Sequence, residues 1–344
     1  MIRLLVVDDQ SVVRNVLGEA FKKDPMIEVV GTAANAIEAQ KLIPHLKPDL
    51  ISLDVEMPGM SGLDFLDWLI PNHPTPVIML STYTQTGAEI TLQALQKGAM
   101  DFVQKPDGSE EDFLRMLNEL TYKIKRLGVA SRPRQFVRQQ VSRKLETSSQ
   151  KKTSIKLIAI GASTGGTQAI DYILNQLPNH LPPIVMVQHM PEHFTTLFAQ
   201  RLAQGSGLKV KEAENGDLLE DGCVFLAPGD KHMLVRRMAG KMYLEIETFD
   251  KVSGHRPSID VLFNSIASAK LAGDCLAVIL TGMGRDGAKG MLELRGKGAR
   301  TIGQDEDSSV VYGMPREAFL LGAVEKQRSL ETIPSEIINT IGLG

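Results

Sequence analysis

The 344-residue sequence predicts an α/β protein built from two doubly wound, mainly parallel sheets. Three observations point there. Short apolar runs recur along the chain without polar alternation, as strands buried on both faces require. Helix-period stretches separate these runs. The composition, 43% apolar and 23% charged, is that of a globular chain long enough for two ordinary domains.

The N-terminal half opens with an apolar run at 2–7 that stops at Asp8-Asp9. A helical pattern follows, with Ser11 as its N-cap, to about Lys23. Further runs lie at 27–31, 49–53, 76–80 and 100–103, with helical stretches near 35–43, 61–69, 86–97 and 109–126. In such sheets, sites form beyond the carboxyl ends of the strands. Asp8 and Asp9 end the first strand, Asp54 the third and Ser81 the fourth, and Lys105 sits just past the fifth. Three adjacent carboxylates repel one another and need a cation. Oxygen-only ligands favour Mg²⁺, and Lys105 adds a fixed positive charge for phosphoryl oxygens. A lone aspartate here would read as a cap or loop acid; five polar residues at the proper strand ends do not.

Charge divides the chain. Residues 1–121 carry 9 basic against 18 acidic side chains, 122–153 carry 10 against 1, and 154–344 carry 19 against 22. The middle segment, rich in Ser, Gln and Arg, reads as a flexible basic linker between two domains, 1–121 and 154–344. Neither domain is basic enough to suggest nucleic-acid binding. No stretch reaches the roughly 18–20 apolar residues of a membrane span, so no membrane insertion is expected. The apolar run at the N-terminus is too short for a signal peptide. Cys223 and Cys275 form no disulfide framework or metal pattern and read as core residues of a reduced, cytoplasmic protein.

In the C-terminal half, an apolar run at 155–160 enters Gly161-Ala-Ser-Thr-Gly-Gly166 and then a helical stretch from Thr167 to about Leu177. Strand, glycine turn and helix fit either a nucleophile elbow with Ser163 or a phosphate cradle, and this motif alone does not decide. The next runs do. His189 directly follows 183–188, and Asp286 follows 275–280 through Thr281-Gly-Met-Gly-Arg. A hydroxyl, an imidazole and a carboxylate then emerge at carboxyl ends of parallel strands, as serine catalysis requires. The nucleotide alternative gives His189 no task. His232 and His255 could line the cleft, and Asp260 fits a turn or helix cap.

The N-terminal residues resemble the receiver domain of two-component signalling, through Asp8-Asp9, Asp54 within Asp-Val-Glu-Met-Pro-Gly-Met-Ser-Gly, Ser81, and Lys105-Pro106. The resemblance implies a flavodoxin-like (βα)5 fold in which a histidine kinase phosphorylates Asp54. It further implies that Asp9, Asp54 and the Glu56 carbonyl ligate Mg²⁺, with Asp8 beside them. It places Ser81 and Phe102 at switch positions and expects a cis bond before Pro106. The C-terminal half resembles the chemotaxis protein-glutamate methylesterases. The matching segments are Gly161–Gly166, Val187-Gln-His-Met190, Ala227-Pro-Gly-Asp-Lys-His-Met233, His255-Arg-Pro-Ser-Ile-Asp260 and Thr281-Gly-Met-Gly-Arg-Asp-Gly287, with Arg285 where Asn or Ser is expected. Their chain order of Ser, His, Asp differs from that of the α/β-hydrolases.

This second resemblance implies that Ser163 attacks a glutamyl methyl ester of a chemoreceptor, His189 moves the proton and Asp286 orients His189. The backbone N–H groups of Thr164 and Met283 are the expected oxyanion donors, no cofactor is expected for the ester chemistry, and receptor glutamine deamidation is a second expected activity. The rival from another class is a receiver fused to a DNA-binding output domain, disfavoured by the charge and strand content of the second half.

Overall fold

The computed structural model describes residues 1–128, except Tyr83 and Asp107, and residues 155–343. Two compact units divide the chain, and the division falls among residues not described. Most of the expected linker, 129–153, lies outside the described residues, while its first six residues continue a helix.

The N-terminal unit holds strands β1 (Ile2–Val7), β2 (Ile27–Ala33), β3 (Leu50–Asp54), β4 (Val77–Ser81) and β5 (Asp101–Gln104). They lie in the order β2-β1-β3-β4-β5, every neighbouring pair parallel. Between them run α1 (Ser11–Phe21), α2 (Ala36–Leu46), α3 (Gly62–Asn72) and α4 (Gln85–Lys97), followed by α5 (Glu110–Leu127). Side-chain oxygens of Asn35, Ser61, Thr84 and Ser109 take N–H groups in the first turns of the last four helices. Ser11 behaves differently from expectation. It is the first helical residue, and Gln10 holds the cap position without a side-chain bond. The Asp8 carboxylate instead accepts the Gln10 N–H, which ties the start of α1 to the strand end.

In the C-terminal unit the elements are β6 (Leu157–Ala162), α6 (Gly166–Gln176), β7 (Ile184–Gln188), α7 (Phe194–Ser206), β8 (Lys209–Glu212), β9 (Cys223–Leu226), β10 (His232–Met238) and β11 (Lys241–Glu247). Then come α8 (Ile259–Ser268), β12 (Cys275–Ile279), α9 (Ala288–Gly296), β13 (Arg300–Gln304), α10 (Met314–Leu320), β14 (Lys326–Arg328) and α11 (Ile333–Thr340). Seven strands form a parallel sheet ordered β14-β13-β12-β6-β7-β9-β8. Every residue of β6, β7 and β12 is buried, which is why their sequences are apolar apart from Gln188 at the end of β7.

The chain winds one way from β6 and later returns to build the other side from β12. The connections after β6 and β12 therefore diverge, and a crevice opens at their carboxyl ends. An antiparallel hairpin, β10–β11, stands apart from the sheet and buries Met233, Val235 and Leu244 in the core that holds Ile259 and Phe263 of α8. Among the described residues the cis peptide bond is Arg256–Pro257. The expected cis bond before Pro106 is trans. That isomer is favoured by about 0.5–1 kcal/mol at X–Pro bonds, and from it Lys105 already reaches two carboxylates.

Candidate active site

β6 delivers Ser163 and β7 delivers His189, for these strands pair in register up to Ala162 and Gln188. The His189 N–H donates to Ala162 O at 3.1 Å, which locks the two strand ends together. The turn that carries the serine is compact. Gly165 takes a left-handed conformation (φ 76°), and the Gly166 N–H returns to Ser163 O at 2.7 Å. Gly166 has no room for a side chain, as a Cβ there would lie 2.1 Å from Gln188 Oε1 and 2.7 Å from Ala162 Cβ. On the other side, Gly282 presses its backbone against the serine; a Cβ at that position would meet Ser163 Cβ at 2.7 Å.

His189 is gripped by Asp286. The separation is 2.9 Å from Nε2 to Asp286 Oδ2, and the two side chains are 9% and 1% exposed. Asp286 follows β12 and lies against the N-terminus of α8. Its Oδ2 also accepts the Ile259 N–H at 2.7 Å, while Oδ1 accepts the Asp260 N–H at 3.1 Å and the Ser258 hydroxyl at 2.8 Å. Burial works to raise this carboxyl, but the hydrogen bond and charge of His189, with the Ile259 and Ser258 bonds, outweigh it and hold the group at about 2. A carboxylate so fixed keeps its charge and holds a proton on His189 Nε2. The other ring nitrogen, Nδ1, is buried and has no hydrogen-bond partner among the described residues. The strand that ends before His189 is the sheet neighbour of the one that leads to Ser163.

Thr164 and Met283, the expected oxyanion donors, are both buried. The Thr164 carbonyl is tied to Thr281 Oγ1 at 2.9 Å, and Met283 follows Gly282 in the loop against Ser163. His232 sits behind the site, fully buried and stacked on Phe249. Its Nδ1 accepts the Ser258 N–H and its Nε2 lies 3.2 Å from Asp250 O, so Nε2 carries the proton. Burial lowers its affinity for a second proton, which suits a structural role. His255 lies over the His189 ring. Asp260 links helices, accepting the Gly290 N–H at 2.7 Å, and burial raises its carboxyl. Cys223 and Cys275 are both free thiols.

Sequence reasoning missed Gln188 and Ser258. The Gln188 amide donates to Ser163 O at 2.9 Å. A polar residue closing an apolar strand was the available sign. Ser258 caps α8 through the Val261 N–H while its own proton goes to Asp286. A serine directly before a helical run was its sign.

The N-terminal unit gathers a second cluster. Carboxylate oxygens of Asp8, Asp9 and Asp54 lie within 4.8 Å of one another, the first and last residues buried and Asp9 exposed. Lys105 Nζ reaches Asp8 Oδ2 at 2.9 Å and Asp54 Oδ2 at 2.8 Å. Burial raises the Asp54 carboxyl to about 6 even against Lys105, and the Asp8 charge adds to the rise. Oxygen ligands at this spacing fit a hard divalent cation, which would relieve that repulsion. The Glu56 N–H donates to Asp54 Oδ1 at 3.3 Å, placing this residue at the rim.

Ser81 ends the strand beside Asp54, but its hydroxyl is bonded to Thr91 Oγ1 at 2.7 Å and Gly87 O at 3.2 Å on α4. Phe102 is buried, with the Lys123 ammonium 5.5 Å from its ring centroid. Among the described residues, no helix is long and apolar enough to cross a membrane.

Comparison with known proteins follows the same division. The family described as CheB methylesterase matches residues 158–337, and the response regulator receiver domain matches 4–118. A protein-glutamate methylesterase/protein-glutamine glutaminase of Sulfurimonas denitrificans is 45% identical over 99% of this chain and 98% of its own. One bearing the same description from Caulobacter vibrioides is 48% identical over 98% and 97%. The crystal structure of the Thermotoga maritima CheB methylesterase catalytic domain is 39% identical with a TM-score of 0.53, and covers 54% of this chain and 99% of its own.

Proposed function

Because the chain belongs to the CheB methylesterase family, we propose that it hydrolyses γ-methyl esters of glutamate side chains on chemoreceptors, under control of a phosphorylated receiver. The observation that carries this reading is the state of His189: one nitrogen bonded to Asp286, the other buried without a partner among the described residues, on a strand end adjacent to the one that leads to Ser163.

Ser163 Oγ adds to the ester carbonyl as His189 Nδ1 takes its proton, and the oxyanion is received by the Thr164 and Met283 N–H groups. Collapse expels methoxide, which leaves as methanol with the proton from Nδ1. Water then adds to the acyl-serine, giving its proton to Nδ1, and Ser163 leaves with that proton to free the glutamate. Asp286 stays ionised and stabilises the imidazolium at each stage. A glutamine side chain enters the same sequence with ammonia as leaving group, which gives the deamidase activity.

In the receiver, Asp54 is the acceptor of a phosphoryl group from a chemotaxis histidine kinase. Asp8, Asp9, Asp54 and the Glu56 carbonyl would hold Mg²⁺, which supplies positive charge to the phosphoryl oxygens; Lys105 supplies more. Ser81 and Phe102 are the residues that register the change. The protein acts in the cytoplasm, with domains at 1–121 and 154–344.

The test is methanol release from methyl-labelled receptor membranes. We expect release by the intact chain, a rise with Mg²⁺ and a small phosphodonor, and loss of release in Ser163→Ala. Release undiminished in a folded Ser163→Ala protein would remove the serine from the mechanism.

A further inference from the structure

His255 has no part in the proton transfers above, yet its ring lies parallel to that of His189, with centroids 3.8 Å apart and planes 9° from parallel. Asp286 holds the His189 ring at one edge, through Nε2. A single hydrogen bond leaves a ring free to roll about the bond axis, and rolling would displace Nδ1, the nitrogen assigned above to take the serine proton. A flat aromatic face stacked on the ring opposes that roll.

The loop that presents His255 is braced for the purpose. Val252 and His255 exchange two backbone hydrogen bonds, 3.1 and 3.0 Å, across a tight turn through Ser253 and Gly254, both with positive φ. The Arg256 guanidinium then donates to Asp230 Oδ1 at 3.0 and 2.8 Å and to Phe249 O at 2.8 Å. Two residues later the same strand of chain reaches Ser258, Ile259 and Asp260, the three donors that grip Asp286. The segment 252–260 thus sets the face of His189 through His255 and the edge of His189 through Asp286.

We propose that His255 is a positioning residue of the esterase, whose ring pins the His189 imidazole in the plane where Nε2 meets Asp286 and Nδ1 faces Ser163. The inference rests on the Ser163–His189 reading given above. Its action is through shape and not through a titrating nitrogen, so another flat ring substitutes for it. Phenylalanine also offers a π face to the imidazolium that forms during turnover.

Full-length proteins carrying His255→Ala, His255→Gln, His255→Phe or Ser163→Ala are compared for kcat, KM and the rate of labelling by a fluorophosphonate, with melting temperature to establish folding. His255→Ala and His255→Gln are expected to lower kcat and the labelling rate together, by about 10- to 100-fold, the scale of a small misplacement of a catalytic group. KM stays within about twofold, because the residue acts on the base and not on bound substrate. His255→Phe recovers most of the lost rate. A phenylalanine variant as impaired as alanine, an unimpaired alanine variant, or a loss confined to KM would each overturn the proposal. Methanol release and labelling that persist in Ser163→Ala would instead overturn the underlying serine mechanism, so the two failures are distinct.

Discussion

Asp286 accepts four hydrogen bonds, three from the start of α8 and one from His189, and this decides how it behaves. Asp286→Asn keeps the shape but offers the wrong hydrogen-bonding group to His189 Nε2. A fall in kcat of about 10⁴-fold is expected, by analogy with the equivalent change in a serine protease, and methanol release measures it. The same group gives a sign for stability against pH. Its affinity for protons is lower in the folded state, about 2 against an ordinary 3.8. The folded state therefore gains from it above pH 3.8, and that gain disappears as the pH falls from about 4 towards 2. Urea midpoints of the parent and of Asp286→Asn should differ most near neutral pH and converge in acid. Gly282→Ala makes a complementary case. Its Cβ would fall 2.7 Å from both Ser163 Cβ and Met314 Sδ. The methionine can yield and the serine backbone cannot, so at least about a tenfold loss of kcat is expected from the displaced nucleophile, read from the labelling rate at Ser163.

At the scale of elements, the N-terminus of α8 acts as the seat of the Asp286 carboxylate: its N–H groups and dipole favour a negative charge there. Ser258→Ala removes both the cap and a hydrogen bond to the carboxylate. A loss of about 2 kcal/mol is expected from a cap worth about 1 and a charge-assisted bond worth at least as much. Urea unfolding followed by circular dichroism checks it, and kcat should fall as well. These elements were unequally legible. The strands β1, β3, β4, β6, β7 and β12 could be read directly because burial on both faces leaves a mainly apolar run without regular polar alternation. Asp54 at the end of β3, Lys105 after β5, Ser163 after β6, His189 after β7 and Asp286 in the loop beyond β12 inherited their places from the strand ends. What could not be read was set by distant partners. Asp286 meets α8 across 27 residues, and the Ser81 hydroxyl meets Thr91 on the next helix; neither pairing leaves a local pattern. The β10–β11 hairpin was also missed, its half-exposed strands lacking the continuous apolar run that marked the sheet.

For the whole molecule, a receiver and an esterase on one chain imply that phosphorylation of the receiver, proposed above to fall on Asp54, biases an equilibrium that the esterase also feels. Asp54→Asn should abolish the rise in methanol release caused by a small phosphodonor while leaving basal release in place. Removal of residues 1–150 should raise basal release if the unphosphorylated receiver restrains the esterase; equal or lower release from a folded fragment would count against restraint. The sheet order of the esterase unit has one more consequence. Ser163 and His189, the proposed nucleophile and base, leave adjacent strands early in this unit, but Asp286 arrives 97 residues after His189, beyond a strand laid down on the opposite side of β6. A ribosome-bound chain that has emerged only through residue 270 carries Ser163, His189 and His255 but lacks the Asp286 carboxylate that bonds His189 Nε2. On the proposed mechanism, full activity during synthesis therefore waits until β12 and the loop after it have been delivered, and its acquisition would report completion of the sheet around the site.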